Sequence, residues 1–181
     1  MGNFSAAHLR GRRFRIVPML SIRAATLPDV PQLVALIREL AEYERLSHKV
    51  RVAKADLARD GFGPNPKFRA VIAESDGQAA GYALFFEFYS TFQGRPGLFL
   101  EDLFVRPQFR RSGIGRALLA HVAGIARKEK YFSLRWQVLD WNEPAIDFYR
   151  KLDADFLDEW KTVSLTGDAL QGVAEQSRQT K

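Results

Sequence analysis

The feature that most restricts the fold of this chain is a strand, a glycine-bearing loop and a helix in immediate succession. Leu98 to Val105 is an apolar run of strand length, Arg110 to Arg116 reads Arg-Arg-Ser-Gly-Ile-Gly-Arg, and Ala117 to Lys130 is a long amphipathic pattern. A loop of this kind gathers the unpaired N–H groups of a first helical turn at one point, where the helix dipole also favours negative charge. Gly113 and Gly115 let the main chain approach a ligand closely, and the flanking arginines stay charged throughout the neutral range. The segment is therefore a candidate phosphate cradle. It is not a dinucleotide fingerprint, whose third small residue would fall at Leu118, and it lacks the Gly-Lys-Ser/Thr of a nucleoside triphosphate loop.

The surrounding patterns predict the rest of a mixed α/β fold. Ser21 to Ala25 is a short strand, followed by Thr26-Leu27-Pro28-Asp29, a capping box with proline in the first turn. Val30, Leu33, Val34, Ile37, Leu40 and Ala41 keep the spacing of one buried helical stripe. A shorter helix is expected over Val52 to Asp60, stopped by the glycines and prolines of Gly61 to Pro66. Phe68 to Ala73 and Gln78 to Tyr89 flank an Asp76-Gly77 turn and read as a hairpin. After the strand Leu98 to Val105 the pattern gives a helix over Gly113 to Lys130 and a strand over Ser133 to Leu139. A helix over Glu143 to Leu152 and a last strand near Trp160 to Leu165 complete it.

A chain of 181 residues fits one domain, expected over residues 19–170 with a polar tail over 171–181. The formal charge of +6 is concentrated in residues 1–18, where Arg10, Arg12, Arg13 and Arg15 meet no acid, so the body is nearly neutral. That segment lacks the apolar stretch of a secretory signal and is expected to be a disordered extension or the product of a start codon assigned too early. A basic arm for an anionic partner and a transit peptide are the alternatives. A nearly neutral body speaks against a nucleic-acid partner. The absence of cysteine excludes disulfides, thiolate zinc sites and a cysteine nucleophile, and sets a cytoplasmic location as the default. No apolar run is long enough to cross a bilayer. His8, His48 and His121 show no metal-ligand spacing, and no Gly-x-Ser-x-Gly elbow suggests a hydrolase.

Two further positions carry chemistry. Glu101 and Asp102 are adjacent in the apolar run, so strand alternation sends them to opposite faces. If that strand is central, at least one acid faces a cleft, because a buried unpaired carboxylate is costly; on an edge strand it is simply solvated. Asn142-Glu143-Pro144 reads as a helix start, and Tyr149 lies two turns on, about 10 Å along the same side. Tyr149 is either a core aromatic or, with a hydroxyl of pKa near 10, a proton donor. Phe85, Phe86, Phe88, Tyr89, Phe92, Phe99, Phe104 and Phe109 make an aromatic-rich middle best explained as sheet core.

Leu100 to Val105, Phe109 to Gly115 and Trp141 to Tyr149, together with Leu40-Ala41-Glu42-Tyr43-Glu44 and Asp60-Gly61-Phe62-Gly63, carry a resemblance. In this order they resemble the spermidine/spermine N-acetyltransferase branch of the GNAT superfamily, and in pattern its thialysine N-epsilon-acetyltransferase-like members. The resemblance runs from Ser21 to Leu170. It implies a mixed, mostly antiparallel sheet flanked by helices, with a splayed cleft between two central parallel strands that end at Val105 and Leu139. It also implies acetyl-CoA as co-substrate and no metal. By resemblance, the main chain of Leu103, Phe104 and Val105 would hold the thioester and pantetheine. Arg110, Arg111, Ser112, Gly113, Ile114, Gly115 and Arg116 would wrap the diphosphate, and Asn142, Glu143, Pro144 and Ala145 would close the other side.

Tyr149 matches the family's general acid for the departing thiolate, and Glu101 an acid that binds the amine and relays its proton through water. Tyr43, Glu44, Glu101, Arg135, Trp136 and Gln137 fall on the acceptor side. Polyamine-specific members carry an acid after the tyrosine of the central hairpin, where this chain reads Tyr89-Ser90-Thr91-Phe92. The expected acceptor is therefore a small primary amine, thialysine- or lysine-like or a short diamine, ahead of spermine. The branch also implies a homodimer with the C-terminal part in its interface. Acetylation of a protein or peptide amine on the same fold is one alternative, and a non-catalytic CoA- or nucleic-acid-binding module is another.

Overall fold

The computed structural model describes residues 19–177. The expectations for residues 1–18 and for the end of the tail, 178–181, lie outside the described residues. The chain divides into two compact units between Gln137 and Val138.

The first unit holds a five-stranded sheet in the order β1-β2-β3-β4-β5. Its elements are β1 (Leu20–Ala24), α1 (Val30–Tyr43), α2 (Lys54–Phe62), β2 (Arg69–Ser75), β3 (Gln78–Ser90), β4 (Arg95–Val105), α3 (Ile114–Lys128) and β5 (Leu134–Trp136). Neighbouring strands run antiparallel as far as β4, and β4 pairs β5 in parallel. The capping box forms as read: the N–H and Oγ1 of Thr26 donate to Asp29 Oδ2 at 2.8 and 2.7 Å. Arg23 adds two bonds of 2.8 Å to the same carboxylate, which hold Asp29 well below the usual carboxylate range. This fixes the entry of α1 against β1.

The stripe of α1 and the inner face of α2 close over one face of the sheet, where Leu33, Leu36, Leu57, Ile72, Tyr82, Leu84 and Phe104 form a buried cluster. Alternation sends Val71, Ala73, Ala83 and Phe85 to the opposite face, and α3, with Ile114, Leu118, Leu119 and Val122 buried, packs on the sheet with its own stripe. Ile37 and Leu40, expected in the buried stripe, are only half-buried, while Leu36 is fully buried.

Two departures from simple strand geometry shape the site. Between β3 and β4 the register passes from Leu84 opposite Asp102 to Phe85 opposite Leu100, so Glu101 is the extra residue of a β-bulge. The parallel ladder is also shorter than the apolar pattern suggested. It joins Leu98, Phe99 and Leu100 to Leu134, Arg135 and Trp136 and then stops, while β4 continues to Val105 with β3 as its strand partner. The parallel pair thus separates where the bulge begins, and it stands at the end of the sheet.

The second unit contains α4 (Glu143–Arg150) and α5 (Gly167–Gln176). The strand expected over Trp160 to Leu165 is not formed: among the described residues this segment has no strand pairing, and Trp160, Val163 and Leu165 are 71%, 91% and 50% exposed. An alternating pattern supplies the faces of a strand, but it becomes one only against an edge that accepts its hydrogen bonds. The tail expected from Gln171 begins inside α5. Among the described residues, no helix is long and apolar enough to cross a membrane.

Candidate active site

The glycine loop keeps the form its sequence implied. After β4 the chain makes one 3₁₀ turn over Pro107–Phe109, and Arg111 and Gly113 then take left-handed φ values of 62° and 87°. Such alternation turns successive N–H groups toward one concave side. The helical ladder of α3 starts with Ala117 N–H donating to Gly113 C=O at 3.0 Å, so the N–H groups of Ile114, Gly115 and Arg116 lie ahead of it. No acid occupies the first turn of α3. Arg111, Ser112, Gly113 and Arg116 are exposed, and the Ser112 hydroxyl is turned back onto Phe109 O. An anionic diphosphate fits this run of amides and cations.

Packing does not demand glycine at position 115. A Cβ there would have Val105 Cγ2 at 3.7 Å as its nearest neighbour, an ordinary contact, and Gly115 has no left-handed φ. A glycine lowers helix stability by about 1 kcal/mol relative to alanine, so its presence is left to close approach by a ligand.

Arg110 behaves differently from its neighbours. Its N–H donates to Pro107 O at 3.2 Å and its Nε–H to Val105 O at 2.9 Å. Its guanidinium carbon stands 4.3 Å from the ring centroid of Tyr43 and 5.8 Å from that of Phe104.

Tyr43 and Glu44 are placed by the end of α1, where Arg45 at φ 61° stops the helix and Leu46 N–H closes onto Ala41 O at 2.7 Å. Beside Glu44 is a depression of about 190 Å³ whose lining includes Ile37, Leu40, Val50, Lys49, Glu44 and Asp102. Asp102 accepts a hydrogen bond of 2.8 Å from the hydroxyl of the buried Tyr82. Burial nevertheless pushes Asp102 up to about 6, with Glu101 and Glu44 acting in the same direction. Burial also raises Glu44, and it raises the Tyr82 hydroxyl well above its ordinary value. Two carboxylates beside apolar walls suit an alkylammonium group, which offers a charged head on an apolar stem.

Tyr82 was not among the residues singled out by sequence reasoning, and Asp102 was singled out only as one of two adjacent acids, of which Glu101 was carried into the expected site. The signal was present in the two adjacent acids, but choosing between them needed the bulge. Glu101 takes the bulge position and is exposed, so Asp102 is the acid set opposite Leu84 and joined to Tyr82.

The other expected residues are placed as follows. Leu103 and Val105 are half-buried and Phe104 is buried at the end of β4. On β5, the Arg135 guanidinium lies 5.1 and 5.4 Å from the rings of Phe88 and Phe132, with Trp136 half-buried and Gln137 exposed. Phe88 and Phe132 are themselves edge-on at 5.7 Å, so Arg135 rests on an aromatic pair. Within the second unit, Asn142 is buried and its carbonyl accepts from Ala145 and Ile146 N–H, both at 3.0 Å, with Glu143 and Pro144 in the first turn. Tyr149 is buried in α4, its ring 5.2 Å from that of Phe148. Among the described residues, no three His, Asp or Glu side chains are grouped to hold a metal.

The sequence matches the model of the Acetyltransferase (GNAT) family over residues 31–154. It is 39% identical to thialysine N-epsilon-acetyltransferase of Mus musculus over 164 residues, which is 84% of this chain and 96% of that protein. It is 32% identical to L-ornithine N5-acetyltransferase of Arabidopsis thaliana over 198 residues, 84% of this chain and 86% of that protein. In fold it resembles an integron cassette protein from the mobile metagenome of V. cholerae, with a TM-score of 0.73 at 24% identity over 86% of this chain and 98% of that one.

Proposed function

The chain belongs to the GNAT acetyltransferase family and is an acetyl-CoA-dependent N-acetyltransferase acting on small-molecule amines, and from that premise we propose that its acceptor is the side-chain amine of a thialysine-, ornithine- or lysine-like molecule. The observation that carries this reading is the small depression lined by Glu44 and Asp102, with Lys49 as its one cationic residue and Ile37, Leu40 and Val50 as apolar walls, sized for one ammonium group and a short stem. Long polycations gain most from a row of acids, and the hairpin end Tyr89-Ser90-Thr91-Phe92 supplies none.

An alkylamine of pKa near 10.4 reaches the protein protonated and cannot attack in that form. Glu44 and Asp102 bind the ammonium, and Glu101, on the bulge beside Asp102, takes its proton through water. The freed nitrogen attacks the acetyl carbonyl, the C–N bond forms, the C–S bond breaks, Tyr149 gives its proton to the departing thiolate, and the second proton, lost by the acylated nitrogen, returns through water to the Tyr149 phenolate. Along the side of β4 that, among the described residues, pairs with no strand beyond Leu100, the main chain of Leu103 to Val105 is assigned to the pantetheine, apart from the Val105 carbonyl that Arg110 already uses. Arg111 to Arg116 supply amides and charge to the diphosphate, as does Arg110 through its charge; Asn142, Glu143, Pro144 and Ala145 are assigned to the same cofactor by the family resemblance alone. Arg135, Trp136 and Gln137 border the acceptor. Direct transfer of this kind requires no metal; positioning and a polarised carbonyl supply most of the acceleration. We place the enzyme in the cytoplasm and in a homodimer, the latter supported by the exposed apolar side chains of Trp160, Val163 and Leu165.

Turnover of acetyl-CoA with thialysine, ornithine, lysine, putrescine and spermine tests the reading. The amino acids with a side-chain amine should give the highest kcat/KM and spermine the lowest. Equal rates with spermine would overturn the acceptor assignment, and acetylation of lysine-bearing peptides alone would replace it with the protein-directed alternative.

A further inference from the structure

Arg110 opens the glycine loop, yet two of its donors are already spent inside the protein. Its N–H is used by Pro107 O and its Nε–H by Val105 O, at 3.2 and 2.9 Å. The flat cation then lies 4.3 Å from the centroid of Tyr43, the last residue of α1, and 5.8 Å from that of Phe104. The Phe104 ring meets Tyr82 edge-on at 6.5 Å, and the Tyr82 hydroxyl holds Asp102 at 2.8 Å. One guanidinium therefore touches the end of β4, the wall that carries Glu44, and the ring pair that leads to Asp102.

We propose that Arg110 is a positioning residue that couples the acetyl-donor loop to the acceptor wall, rather than chiefly a ligand of the diphosphate. The inference rests on the transfer reaction proposed above. The residue after it, Arg111, sits at φ 62°, a conformation a side-chain-bearing residue keeps only where its surroundings hold it. The Nε–H bond to Val105 O anchors the loop immediately before that residue, and the same side chain fixes the Tyr43 ring from above. Occupation of the loop and occupation of the depression then favour one arrangement of Arg110, so each ligand raises the affinity of the other by the same factor. Lysine keeps the charge but has neither the Nε–H nor the planar face.

The test uses Arg110→Lys, Arg110→Gln, Tyr43→Leu and the double variants, with CoA affinity read by calorimetry and the amine KM read at saturating acetyl-CoA. For a positioning role, lysine performs like glutamine. Each variant raises the amine KM by about five- to tenfold, the range expected for loss of the Nε–H anchor on Val105 O, and adding Tyr43→Leu changes it less than twofold further. Lysine restoring the wild-type amine KM, a loss confined to CoA affinity, or double variants whose effects multiply would each overturn the role. A wild-type protein with no measurable affinity for CoA would instead remove the transfer reaction, and this role with it.

Discussion

Burial of Asp102 beside Tyr82 raises its pKa to about 6, and a free aspartate titrates near 3.9. Between those values the folded protein holds a proton that the unfolded chain has released, so stability falls as the pH rises through that window. Above pH 6 the full penalty of the buried anion is present, on the order of 3 kcal/mol. Asp102→Asn removes the charge and keeps an oxygen for the Tyr82 hydroxyl. It should melt at or above the wild-type temperature at pH 8 and converge with it near pH 4. Because the ionised form is the one that binds an ammonium, the wild-type amine KM should fall as the pH rises through about 6, and the variant should lose that dependence along with at least tenfold in kcat/KM. A variant that is both less stable and unchanged in its pH profile would make Asp102 a packing residue. Tyr149 is tested separately, since removal of a general acid lowers the rate by about 10²- to 10⁴-fold. Tyr149→Phe should therefore reduce kcat by at least 10²-fold with little change in either KM, as measured by steady-state kinetics. The spacing from Asn142 put Tyr149 on a shared helix side, the resemblance alone gave it a role, and Glu101 and Asp102 stood out as a pair. The sequence could not rank the pair, because the ranking depends on one inserted residue in a pairing that spans two strands.

At the scale of elements, the strand–loop–helix unit was legible because its determinants are local: a glycine, Gly113, where φ is positive, and an apolar period that changes from strand to helix. The same holds for the capping box of α1 and the hairpin at Asp76-Gly77. The extent of β5 was not legible, since Ser133 to Leu139 has strand composition throughout and only the path of its partner decides that pairing ends at Trp136. That early end matters, because it leaves the last residues of β4 without a strand on one side. Gly115 gives this unit a clean experiment. Alanine there meets no clash and should leave the melting temperature unchanged or raise stability by up to about 1 kcal/mol. Should acetyl-CoA lie against the amides of α3, the added methyl stands in its way, and KM for acetyl-CoA should rise at least tenfold. Destabilisation with unchanged KM would return the glycine to the fold.

For the whole molecule, the segment Trp160 to Leu165 is the place where sequence and structure disagree most, and the disagreement has a physical meaning. Its alternating side chains fit a strand, yet within one chain Val163 is 91% and Trp160 71% exposed. Large apolar side chains exposed together are the kind of surface that an interaction partner can cover. A second copy of the chain is the proposed partner, and it would offer the segment both an apolar surface and an edge on which its pattern becomes a strand. Val163→Arg places a charge at the most exposed of these positions, where it cannot disturb the core of a single chain. In sedimentation experiments the wild-type protein should behave as a dimer and the variant as a monomer with an unaltered far-ultraviolet circular dichroism spectrum in the helical region. A wild-type monomer, or a variant that still dimerises, would show that the segment's apolar face serves something other than self-association.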